Sequence, residues 1–176
     1  MYQNLSNDEF LLFFGALHPF SNWNQEYRFT IRGIEFDSGE QCMMFWKAMF
    51  FGDKGTAAKI MVPAHPSDYK SLGRDVTPYD DAAWDAHRDQ MQFILQVERA
   101  RQIQAVDDLL IASEGKRIVE ASQYDKIWGV GLAEYDERIL DPRNWRGTNR
   151  LGKAYERARE FRKKERGTRN EIWLSR

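Results

Sequence analysis

Apolar residues alternate with polar ones most clearly over residues 27–36, where Phe29, Ile31, Ile34 and Phe36 flank Arg32-Gly33. That period of two around a glycine turn predicts a small β-hairpin. Directly after it the period changes. Ser38 reads as an N-cap with Gln41 at the third helical position, the spacing of a capping box. A helix is expected from there through Phe50, ending at Gly52, and a shorter one over residues 55–62, stopped by Pro63. Residues 66–75 read as turns with one or two helical turns. Residues 81–113 carry Trp84, Met91, Ile94, Leu95, Ile103, Val106, Leu109 and Leu110 at helical spacing, with a break expected within 95–101. Residues 118–121 read as extended, 125–132 as a glycine-bearing loop, and 151–164 as a last helix. The sum is a mainly α, single compact helical domain over residues 1–165. It has a small antiparallel β-hairpin near the N-terminus and a charged C-terminal tail over 166–176.

Composition changes this picture little. The chain has 176 residues, 42% hydrophobic and 30% charged, with a formal net charge of −1. A globular domain is expected, and not a strong binder of polyanions. One cysteine, Cys42, leaves no intrachain disulfide and suits a reducing compartment. There is no secretory pattern and no apolar run of membrane-spanning length, so a cytoplasmic protein with no membrane partner is expected. Six tryptophans exceed what a core of this size needs, and surplus Trp often lines ligand pockets.

Candidate chemistry sits where polar residues are embedded among aromatic ones. Five segments stand out: His18-Pro19-Phe20-Ser21-Asn22-Trp23; the helix opening Ser38-Gly39-Glu40-Gln41 with Lys47; Leu72-Gly73-Arg74 followed by Trp84 and Arg88; residues 120–132 around Asp125, Trp128 and Gly129; and residues 144–152 around Asn149. Glu40 and Lys47 lie seven residues apart, nearly two helical turns, so an acid and an amine share one face of an apolar helix. Each segment also has an ordinary alternative: a capped helix start, a surface turn over a buried Trp, or a solvated Arg.

Taken in order, these segments resemble the NADAR (YbiA-like) family. Its pattern of Phe-Ser-Asn-Trp, Ser-x-Glu-Gln-x-Met-Met with Lys-Ala downstream, Leu-Gly-Arg, Trp-x-x-x-Arg, Glu-Ala-Ser-x-x-Asp-x-Ile-Trp-Gly-Val-Gly, Trp-x-Gly-x-Asn and Leu-Gly is present from residue 13 to about residue 159. One stretch departs: where members often carry Lys-Phe-x-Gln-Asn, this chain has Arg101-Gln102-Ile103-Gln104-Ala105.

The resemblance implies an N-glycosidase that hydrolyses the bond between a ribose and a base-like nitrogen. The partner would be a nucleotide-like small molecule, such as a phosphoribosyl-amine intermediate of riboflavin synthesis, or ADP-ribosylated guanine in nucleic acid. Cleaving C1′–N builds an oxocarbenium-like ribose, which calls for a carboxylate and a proton donor. Glu40 is the first choice for the carboxylate and Asp125 the second acid. Trp84 and Trp128 would stack the base, Lys47 and Arg74 would hold phosphate, and Asn22 would bond the sugar or base. Trp23, Gly129 and Asn149 would complete the substrate site. No cofactor or metal is expected. An apolar surround would raise the Glu40 pKa. Two rivals remain: nucleic-acid binding through the basic residues Arg157, Arg159, Arg162, Lys163, Lys164, Arg166 and Arg169, and a module that binds ADP-ribose without turnover.

Overall fold

The structure is a computed structural model that describes residues 4–174, with side chains described over residues 4–167. In chain order the elements are β1 (Phe10–Phe13), β2 (Phe29–Ile31), β3 (Ile34–Phe36), α1 (Gly39–Phe50), α2 (Lys54–Ile60), α3 (Pro66–Arg74), α4 (Asp81–Gln102), α5 (Gln104–Ala112), β4 (Arg117–Glu120) and α6 (Arg150–Leu174). Two 3-10 turns, Glu137–Leu140 and Pro142–Asn144, precede α6. The chain divides into two compact units, Gly15–Ile103 on one side and Met1–Phe14 with Gln104–Arg176 on the other.

The unit of residues 15–103 holds the hairpin and α1 to α4. β2 and β3 pair antiparallel with Phe29 opposite Phe36 and Ile31 opposite Ile34, the expected pairing. Arg32 takes φ 51 and Gly33 φ 80, so the two-residue turn occupies the left-handed region that lets right-twisted strands meet. Ser38 caps α1 by accepting the Gln41 N–H at 3.2 Å, as its position predicts. The capping box is not closed, however. The Gln41 carboxamide reaches one residue further back, accepting from the Asp37 N–H at 2.8 Å and donating to the Ile60 carbonyl at 3.0 Å. It thereby ties α1 to the end of α2.

Residues 66–74 form a full helix. Pro66 sits at its first position, where the missing N–H costs nothing, and His65 and Asp68 close a capping box across it. A Cβ on Gly73 would lie 2.0 Å from the Met44 sulfur, so glycine there lets α3 seat directly on α1. Ala48, Ala57, Ile60, Tyr69 and Val76 form the core these helices share.

The long helical span breaks later than the pattern predicts. Leu95, Gln96, Val97, Arg99 and Ala100 are all buried, so packing carries α4 through that stretch. Ile103 turns extended, at φ −116 and ψ 105, and buries its own side chain before α5 starts. The departing stretch Arg101 to Ala105 therefore straddles the helix break.

The other unit contains a pairing that residue alternation did not predict. β1 runs parallel to β4, with Leu12 opposite Val119. Phe10, Leu12, Val119, Ala121, Val130, Leu132 and Ile139 make its core. The four-residue β1 is too short to declare itself by period. Its partner lies more than a hundred residues away, information that only the assembled chain holds. α6 is longer than expected, and α5 is pinned to it by charge. Asp107 accepts from Arg162 Nε at 3.1 Å and Nη2 at 3.0 Å, and also from Arg166.

Candidate functional site

The anticipated residues fall in both units, and each set has its own geometry. In the unit of residues 15–103, Glu40 occupies the second position of α1 and is 9% exposed. An α-helix leaves its first N–H groups without partners inside the helix. Here the Glu40 N–H donates 2.8 Å to the carbonyl of Asn22, in the loop that precedes the hairpin. The approach is tight: a Cβ on Gly39 would lie 2.5 Å from Asn22 Oδ1. That explains the glycine between Ser38 and Glu40.

The Asn22 side chain is engaged by α4. Its Oδ1 accepts from Gln96 Nε2 at 3.0 Å and Gln92 Nε2 at 3.2 Å, and its Nδ2 donates to Gln92 Oε1 at 3.4 Å. Both lone-pair directions of Oδ1 are used, so Asn22 serves its own fold before any ligand. Beside it Arg99, 1% exposed, donates to Gln96 Oε1 at 3.1 Å and to the carbonyls of Pro19 at 2.8 Å and Ser21 at 3.2 Å. Gln92, Gln96 and Arg99 escaped the sequence reading. Their spacing of four and three puts them on one helix face, a visible signal, but a polar stripe ordinarily means solvent. Burial reverses that meaning.

His18 anchors the same loop, its Nδ1 accepting from the Phe20 N–H at 3.1 Å. Burial, helped by the Arg99 charge, lowers its pKa from 6.5 to about 4. The folded state therefore binds this proton less readily than the unfolded chain. The resulting stability is present above pH 6.5 and is lost as pH falls toward about 4, worth up to about 3 kcal/mol. Thermal melts between those pH values should show this slope in the native chain and lose it in His18→Asn. An identical slope in both would place the titration elsewhere.

Lys47 lies on the α1 face expected, half-buried. Its Nζ donates 2.6 Å to the carbonyl of Gly73 and sits 4.2 Å from the centre of the Tyr79 ring. Burial lowers its pKa; Asp81 opposes the shift and Arg88 adds to it. Lys47 is thus an amine that gives up its proton more easily than a solvated lysine. The Tyr79 hydroxyl donates to Asp81 at 2.8 Å, which adds Tyr79 to this polar group. Arg74 is exposed on the last turn of α3. Trp84 is buried, packed 6.1 Å from Phe50 and 6.4 Å from Phe51 between ring centres. Trp23 is half-buried, edge-on to His65 at 5.8 Å. Cys42 is fully buried, and burial pushes its thiol well above the usual range, so it is not a nucleophile at neutral pH.

In the other unit Asp125 builds a turn. Its Oδ1 accepts the N–H groups of Ile127 and Trp128, both at 2.8 Å. A Cβ on Gly129 would lie 2.9 Å from the Glu120 carbonyl oxygen, so only glycine lets the turn close against β4. Asn149, 1% exposed and at φ 52, braces the same region. Its Oδ1 accepts from the Glu120 N–H at 3.1 Å and its Nδ2 donates to the Ile118 carbonyl at 2.8 Å.

The basic residues of α6 are largely turned to internal partners. Arg159 donates to the Ser113 carbonyl at 2.6 Å and the Lys116 carbonyl at 2.9 Å. Arg162 and Arg166 serve Asp107, and Lys163 pairs with Glu114. Arg169 lies outside the residues whose side chains are described. Among the described residues, no helix is long and apolar enough to cross a membrane.

Comparison with known proteins supplies the context. The model of the NADAR domain matches residues 8–161. An N-glycosidase of Acanthamoeba polyphaga mimivirus is 34% identical over 168 residues, covering 89% of this chain and 98% of that protein. Protein irg-1 of Caenorhabditis elegans is 33% identical over 144 residues, covering 81% of this chain and 68% of its own. The solution structure of the Escherichia coli protein YbiA superposes with a TM-score of 0.74 at 22% identity, covering 93% of this chain and 90% of that one, a likeness of fold.

Proposed function

This chain belongs to the NADAR family, and on that premise we propose that it is an N-glycosidase acting on a ribosyl or ADP-ribosyl bond to a base-like nitrogen. The observation that carries the reading is Glu40: a carboxylate buried at the start of a helix whose first turn is held by external hydrogen bonds, in a chain similar along most of its length to a named N-glycosidase. In the reaction water adds across C1′–N, its hydroxyl to C1′ and its proton to the departing nitrogen. Glu40 stabilises the positive charge that grows on the ribose or takes the proton of the attacking water. Lys47 holds a phosphate, and its lowered pKa lets it share a proton. The Asn22 and Asn149 side chains, committed to their own folds, act by bracing.

The leaving base is either the amine of a phosphoribosyl intermediate of riboflavin synthesis or guanine carrying ADP-ribose. Internal pairing of Arg159, Arg162, Lys163 and Arg166 supports the small-molecule choice, because these cations are already neutralised or donated to carbonyls. The deciding experiment incubates the protein separately with each substrate and measures which base is released. Release from neither, with ADP-ribose bound in calorimetry, would leave a binding module instead.

Asp125 has a test that separates chemistry from architecture. Asp125→Asn keeps the oxygen that accepts the Ile127 and Trp128 N–H groups, so the turn survives while the charge goes. A rate loss of at least about tenfold, or about 1.4 kcal/mol in barrier, is expected. An unchanged rate in Asn, with loss only in Asp125→Ala, would make Asp125 a turn-former alone.

A further inference from the structure

We infer that Gln92, Gln96 and Arg99 of α4 are positioning residues that set the first turn of α1, and with it Glu40, through the loop of residues 18–22. The links are continuous. Arg99 fixes the Pro19 and Ser21 carbonyls and orients Gln96. Gln96 and Gln92 hold the Asn22 side chain from α4. The Asn22 backbone carbonyl then accepts the Glu40 N–H. All three α4 residues are buried, at 0%, 0% and 1% exposure, where a polar group gives most when its geometry is satisfied and costs most when it is not. A helix start capped only by its own Ser38 would fray within its first turn. With the loop clamped beneath it, Glu40 rests on a second, independent support.

Two features of the contact are also explained. Gly39 must lack a side chain because Asn22 occupies the space where one would stand. Asn22 must be a short amide because it meets two glutamines at once, donating to one and accepting from both.

The test is Gln96→Glu. The carboxylate keeps the size of the side chain and its bond from Arg99 but cannot donate to Asn22 Oδ1. Asn22→Ala removes the same link from the loop side without adding charge. In each, amide exchange of the Glu40 N–H is expected to quicken at least about tenfold, with the slowest amides of α4 unchanged. The kinetic half rests on the glycosidase reading: kcat should fall at least about tenfold with KM within about threefold, and the double variant should be no slower than the slower single one. Unchanged Glu40 exchange, or losses that multiply in the double variant, would overturn the inference. If Glu40 exchange quickens but Glu40→Gln keeps full turnover, the positioning stands and the chemical role of Glu40 falls; if it quickens and the native chain releases no base from either substrate, the positioning stands and the glycosidase reading falls.

Discussion

Glu40→Gln is expected to lower turnover by ~10²–10⁴-fold, the range general acid–base groups contribute, while leaving the fold and ADP-ribose binding nearly intact. The substitution is close to isosteric. The Glu40 backbone N–H still donates to Asn22, Ser38 still caps Gln41, and the neighbouring Gly39 still packs against the loop. What disappears is the carboxylate charge, which under the proposed function stabilises the ribose cation, and the ability to take a proton. Single-turnover rates with each candidate substrate, alongside calorimetry with ADP-ribose, read the two effects separately. Activity within about tenfold of the native chain would remove Glu40 from the chemistry. Loss of binding in parallel with turnover would make it a ligand for the substrate's ground state instead.

The second large effect concerns stability. Asp107 and Arg162 are 6% and 7% exposed and joined by two hydrogen bonds, with Arg166 completing the cluster. Burial alone would raise the Asp107 pKa, but the hydrogen bonds from Arg162 and Arg166 and their charges outweigh it and hold the group below the usual carboxylate range. Its contribution is therefore present above the ordinary carboxylate pKa and lost as pH falls below it. Asp107→Asn takes from Arg162 its buried carboxylate partner and leaves only the more exposed Glu165, and breaking a buried pair from one side costs roughly 3–5 kcal/mol. Denaturant unfolding should show that loss, and melting should fall by roughly 10 °C. Asp107→Leu combined with Arg162→Met should lose less than either single change, because the charges that lose a partner, Glu165 and Arg166, reach solvent. A double variant as unstable as the sum of both would mean that α5 and α6 depend on packing at these positions rather than on charge.

The helices were legible where their ends are chemical. Ser38 marks the start of α1, Pro63 follows the end of α2, and the alternation around Arg32-Gly33 marks the hairpin, because caps and turn residues act within a few positions of themselves. α3 reads from sequence as turns with one or two helical turns because its nine residues hold only two large apolar side chains, Tyr69 and Leu72, too few to declare a long helix. Its capping box, with His65 in place of Ser or Thr, is an unfamiliar form of a known device. The break before α5 was placed too early because nothing local distinguishes a polar residue buried in a long helix from one facing water.

The same division holds for the candidate site. Glu40, its place in the first turn of α1, the face it shares with Lys47 and the family it announces were all determined by the order of residues. They depend on helical geometry and a motif, both of which act over short separations. Tertiary structure alone decided which groups hold Glu40 in place. It gave the Asn22 side chain to Gln92 and Gln96, buried Arg99 beneath the loop, and turned Asn149 toward β4. Those contacts join residues 29 to 80 positions apart, and the worth of each polar group there depends on whether water can reach it, which becomes defined only once the chain has packed.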